Sequence, residues 1–474
     1  MARDYSMFVI RLLPRLALIA LCALLVRAPQ PDALTESLRR AATATQRGDL
    51  GIAFHAYQAA LAYLPNDSYL LHQLYALSMA ARRYDMAAAY LTRLTALNGY
   101  SSLLHRLWAE HYSIQGNAQA ADAHHLAALR GTPSDLPLLR ALADSALARR
   151  DWQATDAYLV RAAALAPDDP DLRYQRALLS IADQPQAAAI WLADLPDNSR
   201  YSAAPALRAL IATYADAPPT AFAFRCGLAL IEARQWRYAE RALLLANAQG
   251  AESAAALAFL GLAQTYNGRD GFPILAQAMQ AAPDDPLVQY AAGLYWRLRG
   301  DLAQALEALR LAHALDSQNA ALAAEIGNTY RAVGNLEEAA RWLKNAVRLA
   351  PESAVLRRTL TAFYADENYA LNGEGMNALR DALALLPEDA EIAANYGYGL
   401  LYNGQVAFAR AELQRALALD SQNARARYYF GVLLEHQGDA LSAVESYLFT
   451  YRAEDASLRQ RAARALQRLG YPLG

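Results

Sequence analysis

The sequence predicts an all-α solenoid built from paired helices, and three observations carry that expectation. Glycine recurs on one beat: Gly227, Gly261, Gly293, Gly327, Gly397 and Gly431 are separated by 34, 32, 34, 70 and 34 residues, and 70 is two periods of 34 plus two. The heptapeptide Ala314-Leu315-Asp316-Ser317-Gln318-Asn319-Ala320 returns unchanged at 418–424, 104 residues on. Alanine stands in two columns seven residues apart, one running through Ala53, Ala87, Ala121, Ala305, Ala339, Ala409 and Ala443, the other through Ala60, Ala128, Ala312, Ala346 and Ala416. A fixed period of this size means stacked units that pack only on their neighbours, not one closed core.

Each element has a local cause. In the unit 320–351, helix A is expected over 321–333, with Ile326, Gly327 and Tyr330 on one face. Gly334-Asn335 ends it, because glycine supplies the left-handed backbone that closes a helix. Helix B follows over 336–349, with Ala339, Leu343 and Ala346 at i, i+4 and i+7. Pro351 stops it. The same punctuation recurs at Gly48-Asp49, Gly116-Asn117, Gly300-Asp301, Gly404-Gln405 and Gly438-Asp439, and at Pro65, Pro133, Pro167, Pro283 and Pro387. Small residues are needed where helices A and B cross closely.

The pattern Gly327…Tyr330…Gly334-Asn335…Ala339…Ala346…Pro351 resembles the tetratricopeptide repeat family. The resemblance covers 34–455, about twelve helix pairs. It implies a right-handed superhelix whose A helices line the concave side. The expected organisation is a hydrophobic N-terminal segment at 1–30, a first array at 34–198, an irregular seam at 199–219, a second array at 220–455 and a capping helix with its tail at 456–474, the helix covering the last repeat around Val432, Leu441 and Val444. In the seam the beat is lost, 203–215 reads as a lone helix, and Pro218-Pro219 forbids its continuation. Two units carry altered A–B turns, one shortened around Asn267–Gly271 and one lengthened in the polar stretch Asp366–Gly375.

At the N-terminus, Arg3, Arg11 and Arg15 lead into an apolar run, and Met7 to Val26 is twenty residues long. With no good cleavage site, an uncleaved membrane anchor is expected, arginine-rich end in the cytoplasm and repeats outside the cell membrane. Secretion after signal cleavage is the alternative, and a buried leading helix the third.

The formal net charge is −2, so no global field draws in nucleic acid. Lys344 is the only lysine, and the arginine excess reads as the composition of a GC-rich genome. Cys22 and Cys226 are too few for a disulfide framework and show no metal-ligand spacing. His124-His125 is the only adjacent histidine pair, and consecutive side chains on a helix diverge by about 100°, so the two cannot share one metal. The pairs Asp168-Asp169 and Asp284-Asp285 read as helix N-caps. No set of groups converges as catalysis requires, so neither enzyme activity nor a cofactor is expected.

What remains is recognition. By the family geometry the inward A-helix positions include Tyr290, Leu294, Arg297, Asn328, Arg331, Arg358, Tyr398, Tyr402, Tyr428 and Glu435. Tyrosine and arginine are frequent interface anchors. The expected function is a non-catalytic, membrane-anchored scaffold that binds a protein or peptide on the concave face; the alternative is an accessory of envelope polysaccharide synthesis or export, with a glycan in the same groove. Replacing Tyr398 and Tyr428 together by alanine is expected to weaken partner binding without unfolding the chain.

Overall fold

The computed structural model describes residues 32–196, 199–248, 253–453 and 455–471. Among these the regular structure is helical throughout: twenty-six α-helices, one 3-10 turn at Ser199–Tyr201, and no strand. The chain divides between Asp216 and Ala217 into two compact units. That boundary lies inside the stretch 199–219.

Unit 1 is a stack of five helix pairs. They are α1 (Asp32–Arg47) with α2 (Leu50–Tyr63), α3 (Ser68–Ala80) with α4 (Tyr84–Asn98), α5 (Ser102–Ile114) with α6 (Ala118–Gly131), α7 (Leu136–Ala148) with α8 (Trp152–Leu165), and α9 (Pro170–Ser180) with α10 (Pro185–Leu192). A lone helix, α11 (Ala204–Tyr214), follows.

Unit 2 holds seven pairs. They are α12 (Pro219–Glu232) with α13 (Trp236–Asn247), α14 (Ala254–Tyr266) with α15 (Phe272–Ala281), α16 (Pro286–Leu298) with α17 (Leu302–Leu315), α18 (Ala320–Val333) with α19 (Leu336–Leu349), α20 (Ala354–Glu367) with α21 (Glu374–Leu385), α22 (Ala390–Tyr402) with α23 (Val406–Leu419), and α24 (Ala424–His436) with α25 (Ala440–Tyr451). A final helix, α26 (Ala456–Arg468), packs on α25.

The caps explain why the A helices begin where they do. The side chains of Asp67, Asp135, Asp169, Asp285, Asn319, Ser353, Asp389, Asn423 and Asp455 each accept a backbone N–H from the first turn they precede. In each acidic pair it is the second aspartate, Asp169 or Asp285, that caps, satisfying donors the helix leaves unpaired. Gly334 ends α18 at φ +87°, where a side chain would be strained.

The beat of glycines is a packing lock. A Cβ on Gly293 would lie 2.5 Å from Leu309 Cγ, and one on Gly327 or Gly397 would lie 2.8 Å from Leu343 or Leu413. Gly293, Gly327 and Gly397 therefore each receive a leucine of their own B helix, whereas Gly431 receives the ring of Tyr447. The alanine columns flank that leucine: Ala305, Ala312, Ala339, Ala346, Ala409 and Ala416 are at most 1% exposed. Gly293→Ala should lower stability by about 1–3 kcal/mol through overpacking, against the roughly 1 kcal/mol that alanine gains over glycine in a helix. Gly51 in α2 has open space where its Cβ would stand, so Gly51→Ala should stabilise or leave stability unchanged. Urea unfolding of the two variants, compared with the native chain, checks this pair of opposite signs.

Arginine has structural uses that composition alone did not show. On B helices, Arg93, Arg161 and Arg415 donate to the carbonyls of Pro65, Pro133 and Pro387, each 28 residues earlier, tying a helix to the turn below it. On A helices, Arg106 and Arg358 reach the capping carboxylates of Asp135 and Asp389 at 2.8 and 2.6 Å, and Arg140 pairs with Asp169 in the same way.

Two expectations are corrected here. Among the described residues no helix is long and apolar enough to cross a membrane, so the single-pass membrane location is withdrawn, and with it the extracytoplasmic placement that depended on it. The apolar segment at 1–30 lies outside the described residues. Leu441, expected beneath the terminal helix, is 84% exposed; α26 covers Leu434 and Tyr447 instead, with Val432 and Val444 at the margin.

Candidate binding surface

In unit 2 the A helices of successive pairs lie side by side, α20 against α22 and α22 against α24. Of the ten A-helix residues singled out from the sequence, seven gather at two charged centres, Arg358 and Tyr402 stand apart, and Leu294 is buried in the core.

The first centre forms around Glu325 of α18. Arg297 of α16 reaches its Oε2 at 2.8 Å. Tyr290, half-buried, meets Phe259 edge-on with ring centroids 6.0 Å apart. Burial raises the Glu325 carboxyl above the usual range, and Arg297 and Arg234 only partly offset that. Asn328, one turn further along α18, is half-buried.

The second centre forms around Asp366, at the C-terminal end of α20. Its side chain is 5% exposed. Arg425 Nη1 of α24 stands 2.7 Å from Oδ1, Arg461 Nη1 of α26 stands 3.0 Å from the same oxygen, and Arg331 Nη2 of α18 lies 3.2 Å from Oδ2. The Tyr429 hydroxyl donates to Oδ1 at 2.8 Å, and Arg461 also donates to the Asp366 backbone carbonyl. Four helices from four levels of the stack thus converge on one carboxylate. Burial opposes its ionisation, but Arg425, Arg461, Arg331 and the Tyr429 hydroxyl outweigh burial and hold Asp366 below the usual carboxylate range. The outer charges close the account: Arg331 also binds Glu367 at 2.7 Å, and Arg425 binds Glu391 at 3.2 Å.

Tyrosines surround this centre. Tyr398 lies flat on the buried Tyr429, centroids 4.4 Å apart, and its hydroxyl donates to Asn368 at 2.7 Å. Tyr428 is half-buried against Tyr447, whose hydroxyl donates to Glu435. Arg468 of α26 forks onto both Glu435 oxygens at 2.9 and 2.8 Å, and this hydrogen bonding lowers the Glu435 pKa. Arg358 stands apart, exposed, on the cap Asp389. Tyr402, at the end of α22, is 52% exposed.

The geometry changes the chemical reading of this face. Arg297, Arg331 and Arg358 already hold carboxylates of this chain, so they are not open forks awaiting a ligand acid. Tyr398 is partly a packing residue. Sequence reasoning missed Asp366, although a signal was present: Asp366 and Glu367 sit in the last turn of a helix, where the dipole disfavours negative charge and a cation must compensate. Cys226 is buried as a free thiol, and its burial pushes its pKa up. Among the described residues no group of three or more histidine, cysteine or acidic side chains is placed to hold a metal.

The period, the paired helices, the glycine–leucine locks and the alanine columns together define an all-α solenoid of stacked helix pairs, the fold the tetratricopeptide resemblance implies. No described family and no curated protein matches the chain. Solved structures of this class are similar to it at low identity. YrrB, described as a TPR protein with an unusual peptide-binding site, is 21% identical over 40% of this chain and 97% of its own, with a TM-score of 0.29. PilF of Pseudomonas aeruginosa is 22% identical over 46% and 99%, with a TM-score of 0.35. Yeast Tom70 is 13% identical over 92% and 96%, with a TM-score of 0.39. At such scores these likenesses carry no argument; the fold class rests on the repeats themselves.

Proposed function

We propose that this protein is a non-catalytic scaffold that binds a peptide segment of a partner protein along the A-helix face of unit 2, between Tyr290 and Tyr428. The observation that carries the reading is the combination of a rigid, charge-neutralised floor with aromatic side chains left at its surface. The ion pairs around Glu325 and Asp366 fix the helices, so little ordering cost remains when a ligand docks. Tyr402, with Tyr398 and Tyr428 beside it, offers amphipathic rings at low conformational cost. Asn328 and the outward edges of Arg297, Arg331 and Arg358 add polar contacts. A polypeptide, whose backbone and side chains alternate polar and apolar groups, suits such a face better than a free carboxylate, since the guanidinium groups are already engaged. No specific observation favours a glycan.

The test uses a phage-displayed random peptide library panned against the full chain. Tyr402→Ala should weaken the selected peptides by roughly tenfold, the loss of one aromatic anchor, while the melting transition stays in place because the ring is mostly exposed. Tyr402 is a cleaner probe than Tyr398, whose removal also unstacks Tyr429. Selected peptides that bind Tyr402→Ala and Tyr428→Ala as tightly as the native chain would place the binding face elsewhere.

A further inference from the structure

Unit 1 carries a cluster that the scaffold reading does not use. His105 of α5 and His124 of α6 bring their Nδ1 atoms to 2.9 Å. Their ring centroids are 5.2 Å apart, so what remains beyond the nitrogen separation is little more than the two ring radii. The nitrogens therefore meet head-on, as an N–H···N hydrogen bond in which one imidazole donates and the other accepts. Aromatic rings hold the pair: Tyr100 stacks on His105 at 4.8 Å, and Trp108 and Tyr112 lie against His124 at 6.0 and 5.6 Å. Trp108 is itself fixed by its Nε1–H donating to Thr95 of α4.

This contact tolerates one added proton, because an imidazolium can donate to a neutral ring. It does not tolerate two, which would aim two N–H groups at each other. The surrounding charges do not compensate for a second proton. Arg130 of α6 faces His105, and Arg106 of α5 faces His125. The nearby carboxylates are engaged: Asp135, the cap of α7, holds Arg106; Asp122 of α6 holds Arg149; Arg140 of α7 is paired with Asp169; and Asp85 of α4 faces His111. Glu110 of α5 is kept toward its neutral form by burial, with Arg106 opposing, and it faces Tyr75 of α3.

We propose that the α5–α6 helix pair is an acid-operated latch, opened when the His105–His124 pair takes up its second proton while unit 2 stays folded. Burial lowers the pKa of His105, His111 and His124, and of His125 to about 4, from an ordinary 6.5. The sign follows: the closed state resists protons that the opened state accepts, so its stability is full above about pH 6.5 and declines as the pH falls toward the lowered values. Each extra proton bound by the opened state multiplies the opening equilibrium about tenfold per pH unit. This proposal is independent of the peptide-binding reading, which concerns unit 2.

Hydrogen exchange on the full chain, corrected for the intrinsic pH dependence of exchange, tests it. Between pH 6.5 and 5, opening across 102–131 should rise at least tenfold per pH unit while 390–436 is unchanged. His105→Gln with His124→Gln keeps a neutral donor and acceptor and should flatten that slope by about one proton or more. Should this variant not fold, the imidazole C2–H resonances of the native chain decide: His105 and His124 should titrate as a coupled pair displaced to acid. Equal protection of 102–131 at pH 5 and 7, an undiminished slope in the glutamine variant, or two independent titrations near 6.5 would each overturn the proposal.

Discussion

Asp366→Asn should destabilise unit 2 by about 3–5 kcal/mol, the usual cost of removing one partner from a buried ion network. The change is nearly isosteric, so packing is preserved and the loss is electrostatic. Arg425, 11% exposed in its side chain, and Arg461, 24% exposed, would face each other across a neutral amide. Arg331 would keep Glu367, and Arg425 would keep Glu391, which stops the loss from being larger. Arg461→Gln should cost less, because it removes one cation from a carboxylate that retains two. The pH dependence has a definite sign. The Asp366 pKa lies below its ordinary 3.8 in the folded chain, so its contribution is present above about pH 4 and is lost as the pH falls through the lowered value. Denaturant unfolding of the two variants at neutral pH, followed by exchange across 320–451, checks both magnitude and location.

Removing residues 456–474 should have the second large effect. Leu458, Ala462, Ala465 and Leu466 of α26 are at most 5% exposed and seal Leu434 and Tyr447. Truncation uncovers that apolar face, at about 25 cal/mol per Å² of apolar area returned to water. It also deletes Arg468 from Glu435, so an apolar and an ionic loss fall on the last pair, and it deletes Arg461 from Asp366 at the end of α20. The truncated chain should lose exchange protection across 424–451 or self-associate through the exposed face, while 32–196 keeps its protection. An unchanged, monomeric exchange pattern across 424–451 would show that α26 is dispensable.

Much of the fold could be read from the sequence because it is local and repeated. Gly327, Gly334, Ala339 and Pro351 each act within one helix pair, and the period multiplies a weak signal into a strong one. The lone helix at 203–215 was visible for the same reason in reverse: its surroundings break the beat. The charged centres were less legible because they depend on how helices stack. Asp366 meets Arg331, Arg425 and Arg461 across 35, 59 and 95 residues, separations no motif encodes. The lengthened turn at Asp366–Gly375 was recognised as irregular, but its carboxylate role needed the third dimension. The histidines show the same limit. His124 could be ruled out as a co-ligand of His125 from helical geometry, yet its actual neighbour, His105, lies across the helix pair. The arginines, attributed to genome composition, hold caps and proline carbonyls in a repeating arrangement.

The proposed binding of a partner segment to the A-helix face of unit 2 can be tested directly. A photo-crosslinking amino acid is placed at position 402, on that face, or at position 408 on α23, where Phe408 is 69% exposed on a B helix. A library-selected peptide is then irradiated with each full-length chain. Crosslinking should be efficient from 402 and weak from 408. Crosslinking from 408 with none from 402 would contradict the proposal and move the binding face to the B helices.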